Sequence, residues 1–163
     1  MPERSIQDSI GDQNGCWGCG PSNTHGLRIK SYWERDEGVC RFIPAAWHNA
    51  GPPDLVNGGI LASIIDCHAV CFAIADCYRM EGRAIGSEPL IWCATGNLEV
   101  SYLRPTPLGP ELTVRALVSE RAGRKTMLDC GVWAEGVECA RGRVVAVRVP
   151  SEWRHGGERR STG

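Results

Sequence analysis

With 18 Lys and Arg against 19 Asp and Glu, the 163-residue chain carries a formal net charge of −1 and is long enough for one domain with its own core. Charges of both signs are interspersed, so no field draws in a polyanion, and nucleic acid is disfavoured as a partner. The opening residues MPERSIQDSIGDQN lack the basic start and apolar block of a secretory signal, no apolar run reads as long enough to span a bilayer, and nine cysteines suit a reducing compartment. A soluble, cytoplasmic protein with no membrane partner is expected.

In chain order, residues 1–13 are polar and patternless and are expected to form a flexible N-terminus. Residues 14–150 read as a single folded domain and residues 151–163 as a flexible C-terminal tail. Cys16 and Cys19 then stand at Cys-x-x-Cys spacing, which raises a zinc reading. A structural zinc needs four ligands, and His25 and Cys40 are the candidates for the other two. Residues 27–44 alternate apolar and polar positions around a Glu-Arg-Asp-Glu-Gly turn, as a β-hairpin does. After the loop AAWHNAGPPDLVN, Ile60, Leu61, Ile64, Ile65, Ala69, Phe72 and Ala73 recur at helical spacing, so one long helix is expected from Gly58 to Met80. Cys67, Cys71 and Cys77 lie within it, where free thiols act as small hydrophobes. The remainder reads as four strands broken by PTPLGP, RAGRK and EGVEC. Hairpin, helix and strand meander predict an α+β fold in which a curved antiparallel sheet covers one helix.

The chemistry concentrates at that helix. Gly58 and Gly59 at its start leave backbone N–H groups unpaired, where the helix dipole favours developing negative charge, and Asn57 is placed as N-cap. Asp66 lies on the same face about 10 Å further along the axis. One helix therefore cannot set acid and oxyanion donors around a single carbonyl, whereas two antiparallel copies across a two-fold axis can. That geometry predicts a homodimer with two shared sites. The plainer alternatives are a Gly pair that only makes a tight turn and an Asp that is solvated or paired with a basic residue.

The blocks CWGCGPSNTHGLRI, HNAGPPDLVNGGILASIIDCH, TGNLEVSYLRPTPLG and ERAGRK, spanning about residues 14–149, resemble hotdog-fold acyl-CoA thioesterases of the PaaI-like group. The resemblance implies the hotdog fold, a curved antiparallel sheet wrapped around one long central helix, and hydrolysis of an acyl-CoA thioester by a homodimer or dimer of dimers. It implies Asp66 as general base or nucleophile, Gly58 with Gly59 as oxyanion donor, Thr95 as the hydroxyl that orients water, and Asn49 as a supporting loop residue. Arg104, Arg121, Arg124 and Lys125 fall in segments that approach the CoA phosphates in such enzymes. No metal is implied, since the cysteine pair recurs in metal-free relatives, and no cofactor beyond coenzyme A as part of the substrate. The chain departs from the family at Asn57, where His is usual, and Asn donates a hydrogen bond but does not exchange a proton near neutral pH. The alternative is therefore a non-catalytic acyl-CoA-binding protein. His68 points about 200° away from Asp66 around the helix and is expected to be a packed or surface residue. Trp47, Trp92, Phe72 and Tyr102 are candidates to line an acyl pocket.

Overall fold

The computed structural model describes residues 3–150 and 152–153. Its elements are α1 (Ile6–Ile10), β1 (Ser31–Glu34), β2 (Glu37–Phe42), a one-turn 3-10 helix (Ala46–His48), α2 (Gly58–Met80), β3 (Trp92–Tyr102), β4 (Leu112–Ala122), β5 (Lys125–Ala134) and β6 (Val137–Val149). The expected hairpin, the long helix and the four later strands are all present. The strands form one antiparallel sheet in the order β1-β2-β4-β5-β6-β3. The chain leaves α2 for the far edge, returns through β4 to lie beside β2, and then meanders outward until β6 pairs with β3. This is the hotdog architecture.

Alternation along the strands sets the curvature to work on one side. Leu112, Val114 and Ala116 on β4, Leu128 and Val132 on β5, and Ala140, Val144 and Ala146 on β6 are buried against Ile64, Ile65 and Phe72 of α2. Burying each large aliphatic side chain stabilises the fold by roughly 1.5–3 kcal/mol. Phe72 packs its ring on Trp33 with centroids 4.4 Å apart, so it belongs to this core and to no acyl pocket. At 23 residues, α2 is also long and apolar enough by length and composition to cross a bilayer, which the expectation of no such run overlooked. Its apolarity answers to burial: twelve of its residues are buried under the sheet and α1.

The N-terminus differs from expectation. Residues 6–10 of the expected flexible segment form α1, capped by Ser5, whose Oγ accepts from the Asp8 N–H at 3.1 Å. Ile6, Gln7 and Ile10 are buried. Gln7 and Ser31 exchange two hydrogen bonds, the Ser31 N–H reaching Gln7 Oε1 at 2.7 Å and Gln7 Nε2 reaching Ser31 Oγ at 2.8 Å. Ser31 Oγ lies 2.7 Å from His68 Nδ1, and His68 Nε2 donates to the Gly38 carbonyl at 3.0 Å. Fully buried and satisfied on both nitrogens, His68 is neutral, its pKa pushed down to about 4 by burial. It is a packed residue that ties α1, β1, β2 and α2 together. The expected tail, 151–163, lies outside the described residues except for 152 and 153.

Candidate active site

The start of α2 is built by its cap. Asn57 Oδ1 accepts from the Gly59 N–H at 2.8 Å and the Ile60 N–H at 3.3 Å, which confirms the N-cap and removes Gly59 as an open donor. The Gly58 N–H has no acceptor among the described residues. Two contacts hold this turn: Tyr102 donates its hydroxyl to the Gly58 carbonyl at 2.7 Å, and the Asn57 N–H donates to the His48 carbonyl at 2.9 Å. Asn49 pairs its backbone with Val56 and turns its amide onto the Ala50 carbonyl, so it stands beside the helix start and two turns from Asp66. A pocket of about 330 Å³ opens here, walled by Val56, Gly58, Leu61, Tyr102, Arg104 and Thr106. Thr106 Oγ1 is buried with no hydrogen-bond partner among the described residues.

Asp66 sits two turns on, half-exposed, at a second pocket of about 160 Å³ with Val70, Ile74, Trp92, Cys93 and Thr95 among its walls. Thr95 Oγ1 donates to Asp66 Oδ1 at 2.6 Å. β3 reaches this position through an irregularity in its pairing with β6 between Thr95 and Asn97, the kind of bulge that re-aims a side chain. Burial pushes the Asp66 carboxyl above the ordinary carboxylate range, and the Thr95 hydrogen bond opposes the shift without cancelling it. Oδ2 accepts no hydrogen bond among the described residues, so the pair has one oxygen held by a neutral hydroxyl and one free to take a proton. The site thus brings Asp66 and Thr95 together and sets Gly58 and Asn49 apart from them.

The expected phosphate-binding cations divide. Arg121 makes a two-pronged ion pair with buried Asp76, Nε to Oδ2 at 2.7 Å and Nη2 to Oδ1 at 2.8 Å, so its guanidinium is engaged by the fold while its side chain stays partly exposed on the wall of the pocket that Arg124 and Lys125 line. Arg104 Nη1 donates to the Glu138 carbonyl at 2.9 Å on the wall of the Gly58 pocket. Arg124 in the β4–β5 turn and Lys125 at the start of β5 line a third pocket of about 300 Å³ with Met80, Glu81 and Arg148. Neither has an ion-pair partner among the described residues. Of the candidate pocket aromatics, Trp92 lines the Asp66 pocket and Tyr102 the Gly58 pocket, while Trp47 is exposed. Thr106 was missed because a lone Thr in PTPLGP carries no signal of burial.

Residues 54–140, more than half of the chain, match the family described as the thioesterase superfamily. The chain belongs to that superfamily. The matched segment contains Gly58, Asp66 and Thr95. A thioesterase superfamily protein from Shewanella loihica PV-4 is 35% identical, with a TM-score of 0.61 over 79% of this chain and 97% of that one. The acyl-coenzyme A thioesterase THEM4 of Xenopus laevis is 30% identical over 94 residues, 58% of this chain and 36% of that protein, so the chain spans about a third of the length of the curated relatives it matches. The E. coli PaaI protein from the phenylacetic acid degradation operon shares the fold at a TM-score of 0.61 and 17% identity, over 76% of this chain and 81% of PaaI. The resemblance to hotdog thioesterases is thereby borne out at the level of the superfamily, and PaaI shares the fold.

Proposed function

We propose that the chain hydrolyses an acyl-CoA thioester at a site completed by a second copy of itself. The carrying observation is the Asp66–Thr95 pair at 2.6 Å, a carboxylate with one open oxygen at an apolar-walled pocket. Water held at Oδ2 loses a proton to Asp66 as its oxygen bonds to the acyl carbon; the charge on the former carbonyl oxygen is met by the Gly58 N–H. The carbon–sulfur bond then breaks, and the proton on Asp66 returns to the departing thiolate. The free acid and coenzyme A are the products.

Asp66 and Gly58 of one chain are about 12 Å apart along α2, too far to share one carbonyl. An antiparallel partner helix removes that gap. β3, which carries Thr95, is also an 11-residue edge strand, and a long open edge calls for cover. A homodimer or dimer of dimers satisfies both demands. Arg104, Arg124 and Lys125 are the cations available to CoA phosphates. Nine free thiols support a reducing cytoplasm as the setting.

A second reading, acyl-CoA binding without turnover, draws on Asn57: its carbonyl oxygen is occupied by capping, and its amide supplies no exchangeable acid. The deciding experiment follows thioester ultraviolet absorbance over short, long and aromatic acyl-CoAs, with Asp66→Asn beside the wild type. Turnover that disappears in the variant establishes hydrolysis through Asp66. Tight CoA binding with no turnover on any thioester establishes the second reading.

A further inference from the structure

Two of the cysteines flagged in the N-terminal segment do not stand alone. Cys16 Sγ lies 3.7 Å from Cys67 Sγ, Cys19 Sγ lies 3.6 Å from Cys71 Sγ, and the sulfurs of Cys16, Cys19 and Cys67 all fall within 4.8 Å of one another. The helix supplies its pair at i and i+4, one turn apart on one face, against the Cys-x-x-Cys pair of the loop. Tetrahedral zinc holds sulfur at about 2.3 Å, which sets sulfurs about 3.8 Å apart. Two of the contacts already have that separation, Cys19 lies within 4.8 Å of both Cys16 and Cys67, and Cys71 joins the cluster through Cys19.

Hydrophobic packing does not account for the cluster. Cys19 and Cys71 are buried, but Cys16 is exposed and Cys67 half-exposed, and these two still face each other. The loop is shaped for the approach. A Cβ on Gly18 would collide with Cys67 Sγ, so only glycine lets the helix thiol enter the concave side of the turn. The turn is held independently by the Gly20 N–H to the Cys16 carbonyl at 2.8 Å and the Leu27 N–H to the Trp17 carbonyl at 2.8 Å. Asn14 Nδ2 donates toward Cys19 Sγ at 3.7 Å, the outer-shell donor that a thiolate ligand takes. Exposed Cys16 gives the ion its way in.

We infer that Cys16, Cys19, Cys67 and Cys71 form a closed four-thiolate site for a structural zinc ion. The ligand set differs from the one the sequence suggested: His25 is exposed outside the cluster, and Cys40 lies buried on β2. Cys16 and Cys19 also lie outside the residues that match the superfamily. With all four positions filled by protein, the ion offers no open coordination site to a substrate. It pins the loop of residues 14–20 to α2, and Asn14, Cys16 and Cys19 of that loop wall the pocket that holds Asp66.

The test is elemental analysis of the full chain, produced in zinc-containing medium and purified without chelator or metal-affinity resin. About one zinc per chain is expected, falling to background in Cys16→Ser/Cys19→Ser and unchanged in Cys77→Ala, whose thiol faces another pocket. Cobalt(II) titration of the reduced wild-type chain guards against a double variant that does not fold: the intense visible bands of a tetrahedral tetrathiolate are expected. Metal-free wild-type protein that gives no such cobalt spectrum would overturn the site. So would a disulfide among these four cysteines in the protein as purified under reducing conditions.

Discussion

Asp66 and Asp76 stand on the same helix, are the same side chain, and have their proton affinities pushed in opposite directions. Asp66 is half-exposed at a pocket, the neutral hydroxyl of Thr95 is the one hydrogen-bond partner of its carboxyl among the described residues, and that carboxyl is pushed up by burial. Asp76 is buried more completely, and burial alone would push it up too, but Arg121 and Arg79 outweigh that and hold it below the ordinary range. A carboxylate clamped by two guanidiniums has both oxygens engaged by cations and little affinity for a proton. One with an open oxygen and a mild partner keeps both. The comparison separates a reactive acid from a structural one by its neighbours and not by its depth.

The largest expected effect comes from the reactive acid. Asp66→Asn keeps the shape and the Thr95 contact but removes the proton acceptor, and kcat should fall roughly 10²–10⁴-fold while the thermal midpoint holds. Near-normal turnover would place the chemistry elsewhere and leave Asp66 as an ordinary polar residue. Next is Gly58→Pro. Proline is favoured at the first position of a helix, where its missing N–H has no helical partner, and Asn57 already has φ −61° and ψ 133°, the conformation a residue before proline prefers. The added ring meets Tyr102 at about 3.3 Å, a contact a surface tyrosine can relieve. Losing the oxyanion donor should lower kcat roughly 10²–10³-fold. Mixing and re-annealing Asp66→Asn with Gly58→Pro chains tests the shared site directly. Mixed dimers then hold one intact site of two, so about a quarter of wild-type activity should return; no recovery above the separate variants would rule out sharing.

The structural acid is probed through its partner. Removing one member of a buried ion pair costs about 3–5 kcal/mol, but Arg121 is partly exposed and Arg79 still reaches Asp76 Oδ1 at 3.0 Å, so Arg121→Leu should destabilise by about 2 kcal/mol. Its KM for acyl-CoA should stay unchanged, because the guanidinium serves the fold; a KM rise with normal stability would restore its expected role at the phosphates. Asp76 has a folded pKa below its unfolded value, so its contribution is complete above that unfolded value, near 3.8, and is lost as pH falls through the lowered folded one. The gap in urea midpoint between wild type and Arg121→Leu should therefore be constant near neutrality and narrow on acidification below about pH 4.

This contrast also explains what was legible beforehand. α2 announced itself through about four turns of apolar spacing from Ile60 to Ala73 and an Asn-Gly-Gly start, and the four later strands through alternation between Gly- and Pro-bearing breaks. Gly58 and Asp66 could be paired in advance because both lie on that one helix, where spacing alone gives their separation. α1 was missed because five residues offer one turn of periodicity, too little to stand out from a polar tail; only the Ser5–Asp8 cap marked it. The Asp76–Arg121 clamp and the meeting of Cys16 with Cys67 join residues far apart in the chain. Both depend on which strand or loop crosses α2, and that crossing is set by sheet order, which no local pattern encodes.

The smallest effect tests how the Gly58 amide is aimed. Tyr102 reaches from the end of β3 to the Gly58 carbonyl at 2.7 Å, tying the first turn of α2 to the same strand that carries Thr95. Tyr102→Phe keeps the ring in the pocket wall and deletes only that bond, at a cost of about 0.5–1 kcal/mol for a solvent-exposed contact. If the bond also orients the amide, kcat should fall a few-fold with KM unchanged, because a donor set slightly off line stabilises the developing oxyanion less while ground-state binding is untouched. If kcat holds while stability drops by the expected amount, Asn57 and the backbone bond to His48 are enough to aim the helix start, and Tyr102 only fastens it to the sheet.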